Sequence, residues 1–317
     1  MPTHLYSLTA VTAAALLAAA IGAGNASAQE CLHWGDLDQA LYCDENRDLV
    51  ADTPSQGFQL QDPDTLVFSY AAQENPAVEE QAFADFIAHL AKKSGKKVRW
   101  SGAKSSAQQI KAMRDGQVQL AGIAPGPTVY AVNLAGYVPI AVMCRADGTF
   151  DYMLQLITRK DADIASLSDL NGKTVAFAST LANIGGLSIP GSETVYSGSQ
   201  SNSVNGVIKG EYAAAAVNSN DLARMQKQGD VDANALNILW ESPPYPSMSF
   251  GFAHNLAPGL QRSIQDAFLT FDWKGTGLAR VFGAQADRFC TISYQGSWNS
   301  IRQIQLENGV VYNVDDL

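Results

Sequence analysis

The alternation of apolar runs with helical segments is the feature of this sequence that most restricts its fold. The run 65–71 reads TLVFSYA, and the segment 75–95 that follows it places Phe83, Phe86 and Leu90 on one helix face. Segments of these two kinds alternate to about residue 240, and helical segments dominate towards the C-terminus. This order predicts an α/β protein in which mainly parallel sheets are flanked by helices on both faces.

The chain of 317 residues is long enough for two lobes of this kind. We expect them to be joined by two crossings, near 144–152 and 242–250. The first lobe is predicted to comprise 63–148 plus 248–317, and the second lobe 149–247. A cleft between two such sheets lies at the carboxyl ends of strands, where open α/β folds bind ligands.

The N-terminus carries the pattern of an export signal. An alanine-rich apolar run from Leu8 to about Gly24 is followed by Ala26-Ser27-Ala28, and small residues at these spacings suit signal peptidase. We therefore predict a signal peptide over 1–28, and a mature protein in the periplasm. A membrane anchor is the alternative reading, but the run is shorter than the ~20 apolar residues that span a bilayer.

Four cysteines remain after that cleavage, an even number in an oxidising compartment. Three pairings are possible. Cys31 and Cys43 are close in sequence, which favours Cys31–Cys43 and leaves Cys144–Cys290. The alternative is a reactive thiol at Cys144, but no neighbour in the sequence supplies a base or a cation that would lower its pKa.

Residues 29–62 are polar and rich in aspartate, and we expect an N-terminal extension that is pinned by its disulfide. Asp44, Asn46 and Asp48 have the spacing of a calcium loop. However, Leu49 stands where that loop requires glycine, and Ser55 where it requires glutamate. A solvated turn is therefore the prediction here, and calcium binding is the alternative.

Composition and missing motifs exclude several classes of function. The net charge is −10 and there is no basic stripe with interleaved aromatics, so nucleic acid is a poor partner. The stretch NGKT at 171–174 is not a phosphate loop, because Leu167 stands where that motif needs glycine. The histidines have no zinc spacing, and Ser188 is not in a nucleophile elbow. We expect no cofactor, no metal and no catalysis.

Five stretches carry a resemblance to one protein family: FSYAAQENPAVEEQAF, AMRDGQVQLAGIAPGPTVY, YMLQLITRKDADIASLSDLNGKTVAFAS, GVIKGEYAAAAVNSNDLARM and LWESPPYPSMSFGFAHNL. In this order, over roughly 64–300, the chain resembles the periplasmic substrate-binding proteins of phosphate, phosphite and phosphonate ABC transporters. The unit LSDLNGKTVAF is common to many type II periplasmic-binding proteins, and the ordered combination is more specific. The resemblance implies the two-lobed type II fold with the ligand between the lobes.

The resemblance also implies a set of ligand-binding positions. In the family a turn after a strand of the second lobe donates hydroxyl and N–H groups to the oxyanion, and here that turn reads STLANIGG at 179–186. The candidate residues are Tyr70, Gly126, Pro127, Thr128, Tyr152, Ser179, Thr180, Asn183, Gln200, Asn202 and Asn218. Gln200 stands where the family usually has histidine, and Asn218 where an aspartate often follows. Both departures replace an ionisable group with a neutral amide.

The resemblance implies a receptor for an ABC importer. It would be a monomer that captures a small oxyanion, closes by hinge rotation and docks on a membrane permease. The departures also leave a less charged or apolar-tailed ligand open. Two alternatives stand beside this reading: a sensor that presents an arsenic-type oxyanion to a membrane kinase, and a hydrolase of phosphorus or sulfur esters. No nucleophile–base pair in the sequence supports the hydrolase.

Overall fold

The computed structural model describes residues 31–71, 76–178, 187, 189–242, 244–307 and 309–316. Every element below belongs to one compact unit, Leu32–Leu317. The predicted signal peptide lies outside the described residues. Within the ranges just given, no helix combines the length and the apolar character needed to cross a bilayer.

Strands and helices alternate through most of this unit, as the sequence predicts. The strands are Thr65–Ala71 (β1), Lys97–Ala103 (β2), Leu120–Ile123 (β3), Tyr137–Cys144 (β4), Asp151–Tyr152 (β5), Leu154–Arg159 (β6), Thr174–Phe177 (β7), Glu193–Tyr196 (β8), Ala214–Asn218 (β9), Leu236–Glu241 (β10), Tyr245–Pro246 (β11), Ser249–Ala253 (β12) and Arg288–Thr291 (β13). The helices are Pro76–Ser94 (α1), Ser106–Arg114 (α2), Pro125–Ala135 (α3), Gln200–Lys209 (α4), Ser219–Gln228 (α5), Pro258–Leu269 (α6), Gly277–Phe282 (α7), Tyr294–Ser297 (α8) and Asn299–Glu307 (α9).

Two sheets organise these elements. The six-stranded sheet has the order β13-β4-β12-β3-β1-β2, and the five-stranded sheet has the order β10-β6-β9-β7-β8. Among the described strands, β1 pairs in parallel with β2 and β3, and β7 pairs in parallel with β8 and β9. The remaining pairs of both sheets are antiparallel. The two-sheet α/β fold is confirmed, but the expectation of mainly parallel sheets is wrong.

The path of β12 explains part of this difference. This strand re-enters the six-stranded sheet after the chain has passed through the five-stranded one, and it lies antiparallel between β3 and β4. The approach to β4 is close: a Cβ on Gly251 would lie 2.1 Å from the carbonyl oxygen of Val138. Glycine is therefore required where the returning strand inserts.

The two crossings between the sheets run side by side. β5 and β11 pair antiparallel, with Tyr152 opposite Tyr245 and Asp151 opposite Pro246. The rings of Tyr152 and Tyr245 meet edge to face, with centroids 4.8 Å apart. Both crossings fall within the predicted regions, and together they form a two-stranded ribbon between the sheets.

Each sheet has an apolar cluster of its own, and a third cluster contains residues of both sheets. An aromatic cluster joins β1, α1 and α6 in the six-stranded sheet, where the rings of Phe86 and Phe268 lie 4.6 Å apart. Beside the five-stranded sheet, Ala215 and Val217 of β9 pack with Val204 and Val207 of α4 and with Leu222 of α5.

The cysteines are oxidised. Cys144 at the end of β4 is bonded to Cys290 in β13, with Cα atoms 5.9 Å apart, so this predicted bridge is confirmed. Cys31 and Cys43 are also disulfide-bonded, as their predicted pairing requires. No described cysteine is free, which contradicts the alternative of a reactive thiol at Cys144.

A tight turn in the N-terminal extension surrounds a buried carboxylate. Asp44 is 0% exposed, and its oxygens accept the backbone N–H groups of Arg47 (2.8 Å), Asp48 (3.2 Å) and Leu49 (3.0 Å). The prediction of a solvated turn is therefore wrong for Asp44. Among the described residues, no group of three or more His, Cys, Asp or Glu side chains is arranged to hold a metal ion.

Candidate functional site

A cavity of about 730 Å³ lies between the two sheets, at the carboxyl ends of their strands. It is lined from the six-stranded sheet by the ends of β1, β3 and β4, and from the five-stranded sheet by the ends of β7 and β9. The ribbon of β5 and β11 contributes Tyr152 and Tyr245. The cavity therefore occupies the place where the sequence predicts a ligand cleft.

The N-terminal turns of five helices meet at this cavity. Glu79 of α1, Ser105 before α2 and Pro125 of α3 come from the six-stranded sheet, and Ser199 before α4 and Asn218 before α5 come from the other. Each helix N-terminus carries a partial positive charge and N–H groups without partners inside the helix. Five of them around one space favour a negatively charged ligand.

Three of these N-termini are capped by their own side chains. Ser105 accepts the N–H of Gln108 (3.2 Å), Ser199 that of Asn202 (3.1 Å), and Asn218 that of Asp221 (2.7 Å). These caps satisfy the third N–H of each helix, and the first N–H of α5, that of Ser219, is donated to the Met153 carbonyl (2.9 Å).

The first turn of α3 has no side-chain cap, because Ala124 stands at that position. The helix begins at Pro125 rather than at Thr128, and the prolines at 125 and 127 have no N–H group. The N–H of Gly126 is therefore the donor that this turn can offer. Two side-chain hydrogen bonds fix this turn: Trp298 donates to the Pro125 carbonyl (2.9 Å), and Gln305 donates to the Gly126 carbonyl (3.2 Å).

Two candidate tyrosines lie in the wall. Tyr70 is 2% exposed at the end of β1 and Tyr152 is 8% exposed in β5. Burial raises the pKa of both hydroxyls, and the nearby carboxylates of Glu79 (for Tyr70) and Asp221 (for both) raise it further. Both phenols therefore stay protonated at neutral pH and can donate to an anion.

Gln200 and Asn218 are joined to each other in the part of the wall formed by the five-stranded sheet. The Gln200 Oε1 atom accepts the backbone N–H of Asn218 (3.1 Å). This contact orients the Gln200 amide, whose NH₂ group can still donate to a ligand. The Asn218 amide serves the helix instead: its Oδ1 caps α5, and its Nδ2 donates to Asp221 (2.5 Å).

Charged residues that the sequence reasoning missed also line the cavity. Glu79 is 4% exposed in α1, and Asp221 of α5 forms an ion pair with Arg224 (3.1 Å) whose side chains are each 18% exposed. The lining contains four cations and three carboxylates: Lys104, Arg145, Arg224, Arg280, Glu79, Asp151 and Asp221. The local balance is thus positive although the chain carries −10. The sequence signal that could have identified Glu79 and Asp221 is the presence of acidic residues in the first turns of α1 and α5.

The structure brings together six of the candidate residues: Tyr70, Gly126, Pro127, Tyr152, Gln200 and Asn218. Thr128 and Asn202 do not line the cavity. The Thr128 hydroxyl is buried against the Ala124 carbonyl (2.9 Å) and Ser249 (2.7 Å), and Asn202 donates to the Ser197 carbonyl (2.9 Å). Ser179, Thr180 and Asn183 lie outside the described residues, although Ala178 before them lines the cavity.

The chain is similar to known proteins over much of its length. The family model "ABC transporter, phosphonate, periplasmic substrate-binding protein" matches residues 68–295. The phosphonates-binding periplasmic protein of Escherichia coli (strain K12) is 25% identical over 223 residues, which are 65% of this chain and 66% of that protein. The match therefore spans just under two thirds of that relative's length.

Two solved structures share the fold. A binding-protein component of an ABC phosphonate transporter from Pseudomonas aeruginosa has a TM-score of 0.66 at 21% identity, covering 78% of this chain and 87% of that chain. PhnD1 from Prochlorococcus marinus (MIT 9301), solved in complex with methylphosphonate, has a TM-score of 0.67 at 17% identity, covering 78% and 99%. At these identities the likeness shows a common two-lobed fold.

Proposed function

Because the chain belongs to the family of periplasmic substrate-binding proteins of phosphonate ABC transporters, we propose that it captures a small phosphorus oxyanion in the cavity and delivers it to an importer. The protein is a substrate-binding receptor, and the family match favours this role over a sensor for a membrane kinase. We assign 63–148 plus 248–317 to one lobe and 149–247 to the other. Residues 1–28 would be removed on export to the periplasm.

The convergence of five helix N-termini supports the choice of an oxyanion. Their partial charges act inside a cleft that excludes water on closure, where hydrogen bonds to an anion strengthen. Tyr70, Tyr152, Gly126 and Gln200 are proposed to donate to the oxygens. In this role the protein binds its ligand without transforming it. It acts as a monomer, its partner is a membrane permease, and it does not bind nucleic acid.

A thermal-shift panel tests the proposal. Purified protein is heated with phosphate, phosphite, hypophosphite, methylphosphonate, arsenite or sulfate. A ligand at 100 times its Kd stabilises the folded state by about 2.7 kcal/mol, so at least one phosphorus oxyanion should raise the melting temperature. If the whole panel leaves it unchanged, the oxyanion assignment is wrong.

A substitution at Gln200 tests whether the oxyanion binds in this cavity. Gln200→Glu keeps the acceptor for the Asn218 N–H but replaces the NH₂ donor with a negative oxygen. We expect it to abolish the shift at pH 7, because an anion would then meet a carboxylate. The matched control is Gln117→Glu, the same charge change at an exposed residue outside the cavity. An equal loss in both variants would contradict a site at Gln200.

A further inference from the structure

We propose that the ligand carries an apolar organic substituent larger than a methyl group on its phosphorus oxyanion. The oxyanion lies at the helix N-termini, and the substituent lies against an apolar wall formed by Met143, Phe150, Met248, Val281 and Phe282. This inference rests on the proposed function and specifies its substrate class. The shared chemistry is a tetrahedral phosphorus dianion on an apolar group, either a phosphonate or a phosphate monoester.

The size of the cavity is the first observation. Methylphosphonate has five non-hydrogen atoms, about the volume of four water molecules at ~30 Å³ each. The cavity of about 730 Å³ is several times larger, and it falls in the range of sites for larger organic ligands. The space is not merely the gap of widely separated lobes, because Gln285 beside β13 contacts the carbonyl of Asn220 in α5 (3.5 Å).

The apolar wall is the second observation. Its five side chains come from β4, α7 and the two chain segments beside the ribbon, and each packs against a buried core on one side. All five remain partly exposed, and all line the cavity. Water against this surface is unfavourable, and an apolar substituent that replaces the water would gain free energy in proportion to the area covered.

The neutral amides of Gln200 and Asn218 in the cavity lining are the third observation. Gln200 supplies a dipole where an ionisable side chain would supply charge, and Asn218 is committed to capping α5. At these two positions the cavity offers the oxyanion dipoles and no added charge. Burial of an apolar substituent gives the additional affinity that a small, strongly hydrated oxyanion lacks here.

Isothermal titration calorimetry separates this inference from the proposed function. Phenylphosphonate, phenyl phosphate, methylphosphonate, phosphite and phenol are titrated into the full-length mature protein. We expect a phenyl-bearing oxyanion to bind about tenfold tighter than methylphosphonate or more, and phenol to bind weakly. The ratio of phenylphosphonate to phenyl phosphate identifies the linkage. Methylphosphonate or phosphite binding as tightly as the tighter-binding phenyl compound overturns the inference and leaves the function intact. Absence of binding by all four anions overturns both.

Variants locate the substituent. Met143→Gln and Met248→Gln keep side-chain length but place an amide in the apolar wall. Each should weaken phenylphosphonate binding about fivefold and leave methylphosphonate binding within twofold. The control is Met153→Gln, a partly exposed methionine between β5 and β6 that does not line the cavity. Circular dichroism and melting temperature confirm folding. If the two wall variants bind phenylphosphonate like the control, the substituent does not lie there and the proposal is wrong.

Discussion

At the scale of single residues, Asn218 shows how the choice between an amide and a carboxylate is settled by its neighbours. Its Nδ2 atom lies 2.5 Å from an oxygen of Asp221, and Asp221 also pairs with Arg224. An amide at this position donates to the carboxylate. A second carboxylate would repel it across a partly buried contact, so asparagine suits a neighbourhood that already contains Asp221.

We predict that Asn218→Asp destabilises the protein by about 1–2 kcal/mol at pH 7. The new carboxylate still caps α5 but loses a donated hydrogen bond and faces a like charge. Repulsion raises the folded-state pKa of one carboxyl above its unfolded value, so the loss is present above that pKa and shrinks as the pH falls towards 4. Thermal unfolding from pH 4 to 8 measures it, and Gln117→Glu controls for net charge. A pH-independent loss would contradict this account.

His254 is a second residue whose surroundings predict a pH dependence. It lies after β12, its ring meets that of Tyr42 edge to face at 5.0 Å, and burial lowers its pKa to about 4. In the unfolded chain its pKa is about 6.5. Between pH 6.5 and 4 the unfolded state takes up a proton that the folded state refuses, so stability present above pH 6.5 is lost as the pH falls.

We expect the titration of His254 to lower the free energy of unfolding by about 3 kcal/mol between pH 7 and pH 4. Denaturant unfolding of wild type and His254→Phe measures it, because phenylalanine keeps a ring against Tyr42 but does not titrate. The wild type should lose more stability than the variant over this interval, and carboxylates common to both cancel in the difference. Parallel losses would show that His254 is protonated as readily when folded as when unfolded.

At the scale of elements, the sequence identifies those with a strong local signal. β1 and α1 follow from a buried run and a helical periodicity, and their observed bounds lie within a residue or two of the expected ones. β13 gives no such signal, because it has four residues and pairs with β4, more than 140 residues earlier. Sheet direction is likewise non-local, since it depends on where β12 inserts.

The residues of the candidate site also divide into those that the sequence identifies and those that it does not. Tyr70 and Gln200 are found because the family resemblance places them at ligand-binding positions, and both line the cavity. Glu79 and Asp221 look in the sequence like ordinary first-turn acids that favour a helix start. They lie beside the cavity because the two sheets approach each other there. The sequence of a single helix contains no information about that approach.

The Cys144–Cys290 disulfide links the short edge strand β13 covalently to β4. The bond closes a loop with a sequence separation of 146. In the chain-entropy model, a loop of this size contributes roughly 5 kcal/mol, against about 3 kcal/mol for the short loop expected between Cys31 and Cys43.

We therefore predict that Cys144→Ala with Cys290→Ala lowers the free energy of unfolding more than Cys31→Ala with Cys43→Ala does. Guanidinium unfolding of the two double variants gives the comparison directly. Gln285 and Ala286, just before β13, line the cavity, so the first double variant should also weaken ligand binding. The reverse order of stability would show that loop length does not decide the effect.

At the scale of the whole molecule, the ribbon of β5 and β11 determines what motion is available. We propose that the two sheets rotate about the two adjacent chain crossings, each with an apolar cluster of its own beside a third cluster that contains residues of both sheets. A ligand that contacts both sheets binds the closed arrangement better, and only such a difference in affinity shifts the equilibrium. In the proposed function, closure would couple occupancy of the cavity to an outer surface that a permease recognises.

Closure is testable by electron–electron distance measurement. Spin labels on Lys92→Cys in α1 and Lys227→Cys in α5 report on the two sheets, and both positions are exposed. Saturating methylphosphonate or phenylphosphonate, whichever binds in calorimetry, should shorten and narrow the distance distribution. The control pair, Lys92→Cys with Arg262→Cys, joins two helices of the six-stranded sheet and should not change. A ligand that binds without altering the first pair would show that the sheets are already fixed, and that the permease cannot read occupancy through hinge rotation.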